Sequence, residues 1–284
     1  MKSGIIVQKR RAFGLMAGFC LSLAAASPTI AQELPPVPDA IQNAGKVRVG
    51  TKCDYPPEGF MDKSGALVGV EVAMAHQIAK YAFGDKAEAE ITCVTTANRV
   101  PALLGNKVDL LIATMAIDPE RAKVVDFTQP YAWASQGAIV RAEDAYKAPA
   151  DLKDKPVVFV KGALAISYFK ENFPEVKQLQ LDSVSDSLQA LMQKRVAAYA
   201  HDTPILMTLA RKNPKLRLLD GQFKITLRAG SVRPGEKEWL AFVNASMSKM
   251  AAAGLFRKWF ETYANDEDME VKLNFWDMSK KPAE

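Results

Sequence analysis

Residues 95–131 read TTANRVPALLGNKVDLLIATMAIDPERAKVVDFTQPY, and this stretch decides the fold. Thr95 and Thr96 can cap a helix, because a hydroxyl there accepts from a first-turn N–H that has no helical partner. Val100, Leu103 and Leu104 then fall on a face directed at a core, and Gly105 suits a left-handed stop. Residues 108–113 form a short apolar run of the kind that makes a strand buried on both faces of a parallel sheet. The run delivers Thr114 to the strand's carboxyl end, which is where open α/β sheets bind ligands. Asp118 reads as an N-cap with Pro119 at the first helical position, which sets the Arg121 guanidinium beside backbone N–H groups. A cation beside amides is a receptor for a carboxylate.

Outward from this segment the elements alternate. Strands are expected at 46–51, 91–94 and 110–113, with helices at 71–81 and 98–104. Further on, strands at 157–160, 178–181 and 196–200 alternate with helices at 163–172, 186–194 and 204–212. The helix-to-strand junction Leu103-Leu104-x-x-Lys107-Val108 recurs as Leu191-Met192-x-x-Arg195-Val196. Six residues beyond each valine stand Thr114 and Asp202, so two polar groups occupy equivalent strand ends in two similar halves. They are expected to face each other across a cleft. The chain crosses between halves near 132–138 and 226–230, and 234–250 and 251–263 read as closing helices. Two crossovers permit hinge closure around a ligand.

The amino terminus reads as an address. Lys2, Lys9, Arg10 and Arg11 precede an apolar stretch at 12–26, and Thr29-Ile30-Ala31 leads to Gln32, the pattern of a secretory signal cut after Ala31. The stretch is short for a membrane span and carries Ser22 and Ser27, and Phe19 spoils a lipoprotein box at Cys20. Of 37 basic and 32 acidic residues, residues 1–31 hold four basic and no acidic ones. The remainder is nearly neutral, which removes the case for a nucleic-acid or membrane-surface partner. About 250 remaining residues suffice for two domains with real cores.

Several further motifs agree in order with the opening stretch: GTKCDYPPEGF at 50–60, GALVGVEVAMAHQIA at 65–79, DFTQPY at 126–131 and LNFWDMS at 273–279. Together they resemble the family 3 extracellular solute-binding proteins of ABC transporters, the periplasmic amino-acid-binding type, closest to the glutamate/aspartate branch. The resemblance implies an α/β, periplasmic binding protein-like fold: two α/β lobes joined by two hinge crossovers, with a ligand cleft between them. Lobe 1 would comprise 32–135 and 229–284, the closing helices returning to it, and lobe 2 would comprise 136–228. It further implies a periplasmic, monomeric receptor without cofactor or metal. Such a receptor captures an amino acid or related small carboxylate or amine and hands it to a permease in the inner membrane.

The resemblance also implies residue roles. A zwitterionic ligand needs a cation and an anion, and Arg121 and Asp202 are the matching positions; arginine's fork holds both carboxylate oxygens. For Asp202 the competing reading is a helix cap ahead of Pro204, and for Arg121 a surface residue. Tyr55 matches the ring that packs on the ligand, on a loop stiffened by Pro56-Pro57. Lys52, Thr96 and Arg99 match positions that line or read the pocket, although a lysine just after a strand commonly faces solvent. Thr114 offers a hydroxyl and a backbone N–H to the α-carboxylate. Cys53 and Cys93 fall on or beside strands that are neighbours in this family, so they are either a disulfide or two buried thiols.

Departures from the pattern are as informative. Ala116 replaces a hydroxyl, Ala163 and Leu164 stand where small hydroxyl residues are expected, and Val184 replaces an imidazole of the acidic-ligand branch. Each lost donor forfeits roughly 0.5–1.5 kcal/mol. A larger or less polar carboxylate, or an amine, becomes a candidate. Two other readings share this fold: a cyclohexadienyl-dehydratase-like enzyme, for which Glu58 and Glu71 are the early cleft acids, and a periplasmic accessory protein of an oxidoreductase system that has lost its ligand. The two histidines give little support for catalysis. His76 lies on an expected helix, and strand alternation would turn His201 away from Asp202.

Overall fold

In chain order the structure forms α1 (Asp39–Ala44), β1 (Arg48–Thr51), β2 (Asp54–Tyr55), β3 (Gly59–Met61), β4 (Leu67–Val68), α2 (Val70–Phe83) and β5 (Glu90–Cys93). There follow α3 (Arg99–Leu104), β6 (Leu110–Leu111), α4 (Pro119–Ala122) and the long strand β7 (Asp126–Arg141). The next elements are β8 (Pro156–Val160), α5 (Leu164–Asn172), β9 (Lys177–Leu181), α6 (Val184–Met192), β10 (Ala198–Asp202), α7 (Thr203–Lys212) and β11 (Leu216–Leu218). A second long strand, β12 (Phe223–Val232), leads to α8 (Lys237–Ala252), α9 (Leu255–Tyr263) and α10 (Asp266–Trp276). This computed structural model describes residues 1, 33–221, 223–264 and 266–282, so the expected signal segment lies outside the described residues.

The main sheet runs β5-β1-β6-β12-β7-β10-β8-β9, with β11 added to β7. On one side β5, β1 and β6 are parallel; on the other β10, β8 and β9 are parallel. Between the two sets the long strands β7 and β12 pair antiparallel. The chain is therefore α/β with two lobes, each built around its own parallel set and joined through two shared strands. The first lobe's core packs Val49, Leu110, Met74, Ile78, Trp239, Phe242 and Phe260. The second gathers Val158, Tyr199, Leu191 and Leu206 on one sheet face and Val157, Phe159 and Phe169 on the other.

Apolar spacing explains α2, whose buried Val70, Met74, Ala75, Ile78 and Ala79 recur on one helical stripe. Gly69 starts it with φ +134°, and a Cβ there would sit 2.4 Å from the Glu58 carbonyl oxygen, so only glycine fits.

Local expectations are corrected in several places. Gly105 has φ −80°, and Asn106 takes the left-handed conformation at φ 58° instead. An asparagine tolerates that region because its short side chain can bond locally. Leu104 is 46 % exposed and belongs to no core. Thr95 does cap the entry to α3 as expected: its Oγ1 accepts from the Asn98 N–H, and its own N–H donates back to Asn98 Oδ1. The expected crossings near 132–138 and 226–230 fall within the two long strands β7 and β12. The sheet β2-β3-β4 and helix α10 were not anticipated, because each draws its order from packing rather than from its own periodicity.

Candidate functional site

The carboxyl end of β6, the entry to α3 and the start of α4 form one wall of a narrow cleft. The opposite wall comes from the start of α5 and the end of β10. Thr96, Arg99, Thr114, Ala116 and Arg121 face Ala163, Leu164, His201 and Asp202 across it. The repeat-equivalent residues Thr114 and Asp202 thus line the same cleft. The space between the walls is too small for an amino acid. The walls touch at Gly162, whose φ is +77° and whose added Cβ would lie 3.1 Å from the Thr96 carbonyl oxygen. A solute of amino-acid size therefore requires the walls to part.

Asp118 caps α4 as the sequence implies: its Oδ1 accepts from the N–H of Glu120 at 3.1 Å and of Arg121 at 3.4 Å. Those amides are consequently spent on Asp118, which corrects the expectation that they flank Arg121 for a ligand. Arg121 itself spans the cleft. Its Nη1 donates to the Ala116 carbonyl and its Nη2 to the Gly162 carbonyl, each at 2.9 Å. Arg99 is buried and donates to the Ala113 carbonyl at 2.6 Å. Burial first, then the charge of Arg121, pull the Arg99 guanidinium down to about 9. Both cations are hydrogen-bonded to neutral carbonyls.

Asp202 sits at the N-cap position of α7 yet caps nothing. Its Oδ1 accepts from Gln136 Nε2 at 2.7 Å; its Oδ2 accepts from Arg228 Nη2 at 2.7 Å and from the Tyr55 hydroxyl at 3.4 Å. Burial, the largest influence, opposes its ionisation, but the charge of Arg228 and these bonds hold it down at about 2. Arg121 and Asp202 both line the cleft, and Asp202 has in addition an internal cation, Arg228, that the sequence reading did not include. Arg228 is 1 % exposed and also donates to the Tyr55 hydroxyl at 2.8 Å and to Glu58 Oε1 at 3.3 Å. Tyr55 is buried in this network, with the guanidinium carbon 5.4 Å from its ring centre, and is not part of the cleft lining.

Sequence reasoning missed Arg228. The signal was present: in KITLRAGSV, Thr226 and Arg228 share the buried face of β12, where a β-branched apolar residue would be ordinary. His201 is a second correction. It lines the cleft, and its Nδ1 accepts from the Asp202 N–H at 2.7 Å, so the ring curls toward its neighbour instead of away. Burial brings this imidazole down to about 4.

Behind Thr114 lies a buried carboxylate. Glu71 accepts from the Thr114 N–H at 2.9 and 3.1 Å and from the Tyr131 hydroxyl at 2.6 Å. Burial raises it to about 7 despite those bonds. Thr114, held at φ 48°, therefore keeps its hydroxyl but not its N–H for the cleft. Lys52 is 2 % exposed and pairs with Asp54 at 2.9 Å, away from solvent and outside the cleft lining. Val184 and Ala163 pack with Tyr55 in the second lobe's core. His76 Nδ1 accepts from the Ala89 N–H on the far side of α2. Cys53 and Cys93 are joined, with Cα atoms 5.6 Å apart, tying the loop after β1 to β5.

Two lobes on shared strands, with convergent polar groups at the strand ends between them, define a solute-binding architecture. The family model for bacterial extracellular solute-binding proteins, family 3, matches residues 47–266, and the chain belongs to that family. It is 30 % identical over 228 residues to the ABC transporter glutamine-binding protein of Bacillus subtilis, covering 78 % of this chain and 84 % of that one. The cysteine-binding protein of Campylobacter jejuni superposes with a TM-score of 0.77 at 33 % identity, covering 80 % and 92 % of the two chains. An ancestral amino acid-binding protein, described as a precursor of cyclohexadienyl dehydratase, superposes at 0.73 with 30 % identity, covering 80 % and 99 %.

Proposed function

We propose that this chain is the exported, periplasmic receptor of an ABC importer. It captures a small carboxylate-bearing solute, an amino acid or a relative of one, and presents it to a permease in the inner membrane as a monomer. The relatives named above support the transport setting, and the run of basic then apolar residues at 2–26 supports export. Lobe limits of 32–135 with 229–284, and of 136–228, would put both boundaries inside β7 and β12, the strands shared by the lobes. Bending of those two strands would then open the cleft.

The observation that carries this reading is the placement of Arg121. Its guanidinium reaches from the Ala116 carbonyl on one wall to the Gly162 carbonyl on the other, so a ligand carboxylate taking up its N–H groups would tie the walls together. Thr96, Arg99 and the Thr114 hydroxyl would complete the lobe 1 side, with Ala116 and Leu164 setting the shape. Lys52 and Tyr55 would act from behind, through Asp54 and Asp202. Catalysis is less well supported. Glu71 is committed to Thr114 and Tyr131, and Glu58 to Arg228, and neither lines the cleft.

The test is calorimetry and thermal shift of the purified protein and of Arg121→Ala against amino acids and dicarboxylates. A ligand should raise the melting temperature of the parent. The variant should lose roughly 2–5 kcal/mol of binding free energy with its fold intact. Equal affinity in both proteins would remove Arg121 from the site.

A further inference from the structure

We propose that Arg228 is a built-in counter-ion for Asp202, and that the cleft therefore selects a small carboxylate lacking an α-ammonium group over the matching amino acid. This inference rests on the receptor reading above and narrows its ligand class.

An ammonium group leaving water needs an anion and several acceptors. Asp202 is the anion in the cleft wall, and its carboxylate already accepts three hydrogen bonds, from Gln136, Arg228 and Tyr55. A carboxylate offers about four such positions, so little hydrogen-bonding capacity remains for a ligand amine, and the charge of Asp202 is partly offset by the guanidinium it shares with Glu58. Arg228 cannot swing aside, because it is buried and is also bound by the Tyr55 hydroxyl and Glu58.

The neutral side-chain acceptors are reduced to the Thr96 and Thr114 hydroxyls. Positions 116, 163 and 164 present only methyl groups and an isobutyl group. On the wall that carries Arg121, the carbonyls of Ala113 and Ala116 receive hydrogen bonds from Arg99 and Arg121. Those two guanidinium groups carry ten N–H donors between them and are hydrogen-bonded to carbonyls rather than to a carboxylate. Among the described residues the cleft lining thus carries two cations with no carboxylate in ion-pair contact and one anion whose charge is offset by Arg228. That balance attracts a carboxylate and repels an ammonium.

Isothermal calorimetry on the purified protein can read this with pairs that differ only in the amine: alanine and propionate, aspartate and succinate, glutamate and glutarate. In any pair that binds, the amine-free member should be tighter by about tenfold or more. Arg228→Gln, checked for folding by circular dichroism, should free Asp202 and narrow or reverse that gap. The parent measurements decide the matter if this variant does not fold. Equal affinities, or a tighter amino acid, would overturn the inference while leaving the receptor reading in place. If no member of any pair binds, this inference falls, while the receptor reading stands or falls on the wider screen with Arg121→Ala.

Discussion

Replacing Arg228 by glutamine is the most exacting test of the network beneath the cleft, because its cost can be worked out and should depend on pH. In the native fold Asp202 is held at about 2, against 3.8 for an ordinary aspartate. That depression alone corresponds to roughly 2–2.5 kcal/mol. Burial pushes Asp202 the other way, so the guanidinium supplies more than the net shift records. Removing it leaves Asp202 with the hydrogen bonds of Gln136 and Tyr55, and leaves Glu58 with the charge of Lys272. Breaking a buried pair in this way costs roughly 3–5 kcal/mol at neutral pH. The folded pKa lies below the unfolded one, so the stabilisation is complete above the unfolded value and fades as pH falls through about 2. The deficit of the variant should accordingly be largest at neutral pH and shrink in acid. Urea unfolding with the disulfide intact, followed by tryptophan fluorescence at neutral pH and at about pH 3, measures both quantities. A deficit under about 1 kcal/mol, or one that does not change with pH, would refute the argument.

Two further outcomes follow from buried groups. Glu71 titrates at about 7 in the fold and at 4.5 outside it, so its contribution is complete below the unfolded value and is lost as pH rises through the folded one. Above that, the penalty is roughly 3 kcal/mol, and Glu71→Gln, which keeps an acceptor for Tyr131, should flatten the decline in melting temperature between about pH 5 and 8. A variant whose decline parallels the parent's would count against it. For the bridge across 40 residues, Cys53→Ser with Cys93→Ser should lower stability by roughly 2–4 kcal/mol. Mass spectrometry of exported protein alkylated without reductant should show no modified cysteine at either position, and modification of both would reject the bridge.

The parts of this molecule legible in its sequence are those governed by local chemistry and periodicity. Asp118 capping α4, the stripe of α2 and the alternation around β8, β9 and β10 were readable, since each depends on residues within a few turns. The repeat that equates Thr114 with Asp202 placed both in one cleft. What escaped depends on distance along the chain. Arg228 meets Glu58 across 170 positions and Tyr55 across 173, and no window of sequence reports that encounter. Asp202 therefore looked like either a free anion or a cap, when its partner stood on another strand. His201 escaped for a different reason. Alternation describes an ideal strand, but β10 ends at Asp202, where the backbone turns into α7 and the imidazole folds back onto the next amide.

An open sheet of this length has two unpaired margins, and a chain that is exported has to keep them from joining those of its neighbours. In this sheet the two ends of the strand order are β5 and β9, and the three-residue β11 adds a short third edge beside β7. Neither end is an inviting template. The sequence of β5, EITC, starts with an exposed charge that pairs with Lys46 and ends in a cysteine bridged to another loop. The sequence of β9, KQLQL, starts with a lysine and places two amide side chains among its leucines. Short length, charge and a covalent anchor thus guard the borders of the sheet, so the same features that shape the receptor also keep it from polymerising strand to strand.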